Sequence, residues 1–100
     1  METKVDVQDT KATVSVEGKL TVQTAPELES TINGIDESVV DLDINLESVD
    51  YISSAGLRVL VAAQKMITSR GGKMRLLSPN DEVFEVFEMT GLSDIFTVER

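Results

Sequence analysis

The amino-acid sequence predicts an α/β fold: a single domain with a mixed, mostly parallel sheet, an antiparallel N-terminal edge strand and three to four helices. Three observations carry this expectation. Near the N-terminus apolar residues alternate with polar ones, the period of half-buried strands. Farther on, helix-period stripes take turns with short β-rich runs, and the helical stretches open on capping residues and close on glycine. The order is β, β, α, β, α, β, α, β, and 100 residues without repeat, linker or low-complexity tract hold one core, so the domain spans 1–100.

Val5 and Val7, then Ala12, Val14 and Val16, mark the first two strands; the polar stretch Gln8–Lys11 predicts the hairpin between them, and Gly18 is expected to end the second. Thr24-Ala25-Pro26-Glu27 reads as a helix start, with Thr24 as the cap, because the first turn has orphan N–H groups and favours negative charge. Leu28 and Ile32 supply its apolar stripe and Asn33-Gly34 its stop. Val39–Ile44 predicts an interior strand, followed by a loop over Asn45–Ser53. The next helix begins near Ser53 or Ser54, with Leu57, Leu60, Val61 and Ile67 on one face and Arg58, Lys65 and Ser69 on the other; Arg70-Gly71-Gly72 stops it. A short strand, Met74–Leu77, precedes a helix opened by Ser78–Glu82, whose buried side is Val83, Phe84, Val86 and Phe87, with Met89 also assigned to the core. Gly91 ends that helix, and Ile95–Val98 forms the last strand. In such sheets the functional surface lies beyond the C-terminal ends of the parallel strands. Here it gathers Thr21–Thr24, Asn45–Ser54 and Ser78–Asp81, with Tyr51–Ser54 at its centre.

Composition removes most enzyme classes. The chain is 41% hydrophobic and 27% charged, as in a folded soluble domain, and has no cysteine, histidine or tryptophan. Disulfides, thiolate zinc sites and His-assisted nucleophiles are therefore excluded, and an enzyme would have to run on carboxylates, lysine or a hydroxyl. No cofactor is expected. Asp41, Asp43, Glu47 and Asp50 invite a magnesium site or an acid–base pair, but no phosphate-cradling glycine loop or following lysine accompanies them. A polar strand end is the expectation, with Asp41 and Asp43 on one face and Asp43 approaching the serine-rich loop.

The net charge of −9 opposes binding to nucleic acid or to an anionic membrane through a broad surface field. Its distribution is uneven: from Tyr51 to Asn80 there are five of the nine bases and none of the eighteen acids. A solvated helix face accounts for that run, and so does a local positive patch that meets an acidic partner or a phosphate. Met1-Glu2-Thr3-Lys4 lacks the apolar core of a signal peptide, and no run nears the roughly 18 apolar residues of a membrane span. A cytoplasmic protein, monomeric on its own, is expected.

The segment Tyr51-Ile52-Ser53-Ser54-Ala55-Gly56-Leu57-Arg58 is the most informative. Two serines precede an apolar helix, so at least one is expected to cap it. Gly56 in the first turn costs about 1 kcal/mol of helix propensity against alanine, unless something approaches closely there. A structural cap explains the serines. The alternative uses the same geometry: a hydroxyl at a bare helix start is open to a kinase, since the helix N-terminus favours the added phosphate charge. Arg58, one turn beyond Ser54, suits either that phosphate or a partner's carboxylate.

In order along the chain, Gly18-Lys19-Leu20 with Thr24-Ala25, then Val40-Asp41-Leu42-Asp43, Ser53-Ser54-Ala55-Gly56-Leu57, Gly71-Gly72-Lys73 and Met89-Thr90-Gly91-Leu92 resemble the landmarks of the STAS domains, and among them the anti-sigma factor antagonists. The resemblance implies a switch that catalyses nothing itself. The unphosphorylated antagonist binds an anti-sigma factor serine kinase of the histidine-kinase-like ATPase type; phosphorylation of the serine two residues before the glycine ends the interaction, and a metal-dependent phosphatase of the PP2C type restores it. That serine is Ser54 here, with Ser53 the second choice. The partner surface it implies comprises Thr21, Thr24, Ser53, Ser54, Ala55, Gly56, Arg58 and Lys65. Two departures remove negative charge from that surface: Thr21 and Ser53 stand where relatives carry aspartate. Other members of the family act as fixed adaptor subunits of transporters or sensory complexes, with no phosphate cycle, and this is the rival expectation.

Overall fold

Asp9 and Thr10 alone turn the chain between β1 (Glu2–Gln8) and β2 (Lys11–Leu20), since Gln8 and Lys11 form the last pair of the hairpin. Asp9 takes a φ of +55°, a conformation that aspartate tolerates because its short polar side chain bonds locally. The computed structural model describes every residue, Met1–Arg100. After β2 come α1 (Ala25–Asn33), β3 (Asp41–Ile52), α2 (Ser54–Ser69), β4 (Lys73–Leu77), α3 (Asp81–Met89), a 3-10 turn at Leu92–Asp94 and β5 (Thr97–Glu99). The strands form one sheet in the order β1-β2-β3-β4-β5, antiparallel between β1 and β2 and parallel elsewhere. Element order, mixed sheet and antiparallel edge strand are thus as the sequence predicts.

Each crossover steps one strand in the same direction, so right-handed connections place all three helices on one face. That face buries Ala12, Val14, Val16 and Leu20 from β2, Leu42, Ile44 and Leu46 from β3, and Met74 and Leu76 from β4. The helices answer with Leu28 and Ile32, with Leu57, Val59, Leu60, Ala63 and Ile67, and with Val83 and Phe87. Phe96 stacks edge-on against Phe87 at 5.5 Å and closes the core beside α3.

The opposite face is open and polar, and Asp43 is its anchor. It is 5% exposed because two cations lie over it. Arg75 on β4 grips both oxygens, Nε to Oδ1 at 2.9 Å and Nη2 to Oδ2 at 2.6 Å, and Lys11 Nζ on β2 sits 3.1 Å from Oδ2. Arg75 also reaches Glu99 on β5 at 2.9 Å, so one charge network ties β2 to β5. Burial pushes the Asp43 carboxyl up, but the hydrogen bonds from Arg75 and Lys11 outweigh it and hold the group below the usual carboxylate range.

Several boundaries differ from the sequence expectation. Gly18 does not end β2; at φ +105° it lies within a bulged stretch, with register shifts between Ser15 and Glu17 and between Gly18 and Lys19, and the strand runs on to Leu20. Asn45–Ser53 is not a loop, because β3 continues to Ile52. Bulging explains why: Leu46, Val49 and Ile52 are buried at intervals of three, which hides the strand's period of two. β4 stops at the pair Asn45–Leu77, so β2 and β3 extend beyond it as a two-stranded arm ending at Leu20–Ile52. Val59 is buried where Val61 was expected; Phe84 and Val86 are half-buried, and Met89 is 76% exposed rather than core. β5 begins at Thr97, because Ile95 N–H and Phe96 N–H donate to Leu92 O and hold Ile95 in the 3-10 turn.

Two glycines owe their place to close approach. A Cβ on Gly72 would lie 1.6 Å from the Val40 carbonyl oxygen, where the chain crosses into β4. A Cβ on Gly56 would lie 2.7 Å from Leu20 Cγ and 3.0 Å from Ile52 Cγ1, both in side chains locked in the core.

Two measurements test this packing. In Gly56→Ala, overpacking costs about 1–3 kcal/mol against a helix-propensity gain of up to about 1 kcal/mol, so urea unfolding is expected to show a net loss of stability; a more stable variant would mean that Leu20 yields freely. The depressed Asp43 pKa contributes stability that is present above the unfolded value of about 3.9 and lost as pH falls through the folded one. Asp43→Asn is therefore expected to unfold about 1–3 kcal/mol more easily at neutral pH and to show a shallower fall in stability below about pH 4. Parallel pH profiles for the two proteins would contradict the network.

Candidate functional site

The arm of β2 and β3 delivers its two ends side by side, and a hydrogen bond from Ser53 N–H to Leu20 O at 2.8 Å locks the exit of β3 to the exit of β2. Ser53 is extended, φ −92° and ψ 171°, and caps α2: its Oγ accepts from Gly56 N–H at 3.2 Å and its carbonyl from Leu57 N–H at 2.9 Å. The Ser53 hydroxyl is thus engaged and half-buried. Ser54, the first helical residue, is exposed, and its hydroxyl takes no part in the side-chain hydrogen bonds of the fold. Of the two serines, Ser53 is therefore the cap and Ser54 the one that presents a free hydroxyl.

Gly56 lets α2 press against Leu20 and Ile52, and Ala55 adds only a methyl group, so Ser54 stands on a low surface. The first turn of α2 carries no acidic residue, unlike that of α3, which has Asp81 and Glu82. The positive end of its helix dipole is uncompensated and favours an anion at the position of Ser54.

Thr21 and Thr24 lie beside this junction, in the turn between β2 and α1, and they serve each other. Thr21 Oγ1 accepts from Gln23 N–H at 3.1 Å and Thr24 N–H at 3.2 Å; Thr24 Oγ1 accepts from Thr21 N–H at 2.8 Å and donates to Lys19 O at 2.7 Å. Thr24 was expected to cap α1 with its side chain, and it makes no such bond. Its oxygen is already taken within the turn, which holds the Thr21–Thr24 loop against the arm.

Arg58 follows Ser54 on the exposed stripe of α2, and neither Arg58 nor Lys65 joins any of the ion pairs of the fold. Lys65 shares the stripe but stands about 16 Å from Ser54 along the helix axis, so it does not converge on that serine. A groove of about 250 Å³ runs between the starts of α1 and α2, lined by Val22, Ala25, Pro26, Ala55, Arg58 and Val59, with Glu29 at its edge. Sequence reasoning placed Val22 in the functional surface only as part of the Thr21–Thr24 turn and not among the partner residues, yet it is 68% exposed and lines this groove. The available signal was an apolar residue inside the polar turn Thr21-Val22-Gln23-Thr24.

Two other expected members lie elsewhere. Asn45 sits at the base of the arm, roughly 25 Å from Ser53 at the usual rise of a strand. Asp43 does not approach the serine loop; it belongs to the open face with Lys11 and Arg75, although it does share that face with Asp41 as expected. The segment Ser78–Asp81 does meet the arm, since Asn80 Nδ2 donates to Val49 O at 3.3 Å. The largest cavity, about 370 Å³, is lined by Lys11, Asp41, Asp43, Lys73 and Arg75 and lies away from Ser54.

Comparison with known proteins identifies the family that shares this fold. The STAS domain family model matches residues 2–100. The chain is 33% identical over 100 residues to the anti-sigma-B factor antagonist of Bacillus subtilis (strain 168), covering 98% of this chain and 92% of that protein. It is 34% identical over 94 residues to the anti-sigma-B factor antagonist of Staphylococcus aureus (strain NCTC 8325 / PS 47), covering 93% and 87% respectively. Among solved structures, an anti-sigma factor antagonist from Mycobacterium paratuberculosis superposes with a TM-score of 0.87 at 28% identity, over 98% of this chain and 84% of that one. With a family model matched from Glu2 to the last residue and an arm that ends in the expected Ser-Ser-Ala-Gly-Leu turn, the chain belongs to the STAS domain family.

Proposed function

We propose that this protein is an anti-sigma factor antagonist that binds a serine-kinase anti-sigma factor while unphosphorylated and is released when Ser54 is phosphorylated. The observation that carries the reading is the division of labour at the start of α2: Ser53 spends its hydroxyl on the cap, whereas Ser54 presents an exposed one. The names of the curated relatives support an anti-sigma factor as the partner.

The interacting surface is the α1–α2 groove with its flanking polar residues. Val22, Pro26, Ala55 and Val59 offer apolar contact, and Arg58 offers an unpaired cation at the rim. An apolar side chain next to a carboxylate fits that combination. Thr21 and Thr24 hold the turn that carries Val22, Gly56 lets α2 sit close to the arm, and Lys65 extends the cationic stripe toward a larger footprint.

In the reaction the kinase brings ATP and the chain brings only the acceptor. The Ser54 Oγ attacks the γ-phosphorus, its proton passes to a base of the kinase, and ADP leaves with the bridging oxygen. The product carries about −1.5 to −2 charges on the N-terminal turn of α2, where the dipole and Arg58 tolerate it. The fold survives, but a partner that packs a carboxylate or an apolar side chain against this spot meets a desolvated charge. A metal-dependent phosphatase of the PP2C type removes the group by hydrolysis. No helix is long and apolar enough to cross a membrane, and the exchange belongs to the cytoplasm, where the kinase finds ATP.

The test is calorimetric binding to the ATPase captured with the wild-type protein from its own cells. Ser54→Ala is expected to bind within about threefold of wild type, and Ser54→Asp at least about a hundredfold more weakly, roughly 2.7 kcal/mol. An Asp variant within threefold of wild type, or capture of the same transporter or scaffold subunit by both, would replace the switch with a fixed adaptor.

A further inference from the structure

We propose that β1 is a pairing edge for a second copy of this chain, the two β1 strands running antiparallel about Val5 to make one continuous sheet. The sequence alone suggests a monomer; the edge strand carries the argument for a dimer.

β1 is the first strand of the sheet order, so its outer side has no strand beside it. In a hairpin closed by a two-residue turn, the residues alternate in the direction of their backbone groups. With Gln8 opposite Lys11 as the closing pair, Glu2, Lys4, Asp6 and Gln8 bond to β2, and Thr3, Val5 and Val7 turn their N–H and C=O groups outward. An edge of three donors and three acceptors is therefore free over a strand of seven residues.

Edges of this kind are commonly blunted by charge. A strand charged with one sign would repel its own copy, but β1 is complementary to itself. About a two-fold axis at Val5, Lys4 of one copy faces Asp6 of the other, twice; Val5 faces Val5, Thr3 faces Val7 and Glu2 faces Gln8. The outward hydrogen-bonding residues Thr3, Val5 and Val7 match one another in this register and no donor is stranded. Lys4 and Asp6 then form the non-hydrogen-bonded pairs, whose side chains stand closest.

The two faces of the strand agree with the same register. Val5 and Val7 point to the helix side, opposite Val14 and Ala12, yet are 44% and 48% exposed because α1 reaches β1 only near Thr3, through Thr31. Pairing would bring Val5 against Val5 and Val7 against Thr3 and shield them. The axis is perpendicular to the sheet, so both sets of helices stay on one side and both open faces on the other, and the groove at Ser54 is left accessible.

The decisive experiment is sedimentation equilibrium up to about 1 mM protein, since an interface of this size is weak, in about 0.15 M salt, where the screening length of about 8 Å mutes the repulsion between two chains of charge −9. Wild type is expected to approach twice its 10.9 kDa mass with rising concentration. Lys4→Glu alone, which sets Glu against Asp, and Asp6→Lys alone, which sets Lys against Lys, are each expected to stay monomeric. Mixed in equal amounts, the two variants pair Glu with Lys and Asp with Lys, and are expected to dimerise at least as well as wild type; that recovery also shows that both are folded. A wild type that stays monomeric up to 1 mM would overturn the proposal, as would single variants that dimerise unchanged or a mixture that does not associate.

Discussion

The contact of Gly56 with Leu20 and Ile52 is the constraint on which the site depends. α2 can start only where the two-stranded arm ends, and it can lie close enough to cap that arm only without a side chain at position 56. Once the helix is seated, Ser53 N–H meets Leu20 O, its hydroxyl turns back to Gly56 N–H, and Ser54 has nowhere to point but outward. The exposed hydroxyl is thus a consequence of core packing. A phosphate can be added there without disturbing any bond that holds the fold.

Charge is used in two different ways on the two sides of the molecule. On the open face Lys11, Asp43, Arg75 and Glu99 neutralise one another across four strands, and a nearly buried carboxylate stays ionised because two cations hold it. On the helix side Arg58 and Lys65 are left unpaired on the exposed stripe of α2. Paired charges fix strand register; in the proposed function Arg58, unpaired at the edge of an apolar groove, is what a partner reads. The large cavity beside Asp43 is lined by a satisfied network, and the proposed function therefore rests on the smaller groove beside Ser54.

Features governed by short-range chemistry were legible in the sequence: the alternation of β1 and β2, the helix starts at Pro26 and Asn80, the glycines that follow the helices and the paired serines. What escaped depends on partners distant in the chain. β3 could not be followed past Ile44, because the bulges opposite Glu17 and Lys19 shift Leu46, Val49 and Ile52 to a period of three. Thr24 carries the right residue type for a cap, but its hydroxyl is claimed by Thr21 N–H and Lys19 O. Met89 has core chemistry and helical spacing, yet it lies in the last turn of α3, beyond the sheet that would cover it. The site was found from a motif, and its groove only from the packing of α1 against α2.

The most direct measurement of the central claim is phosphosite mapping by fragmentation mass spectrometry after incubation with ATP and the captured partner kinase. The account predicts a single phosphoryl group on Ser54 and none on Ser53, whose hydroxyl is committed to the cap. Modification of Ser53 with Ser54 left bare, or a protein that stays unmodified while bound to an active kinase, would contradict it.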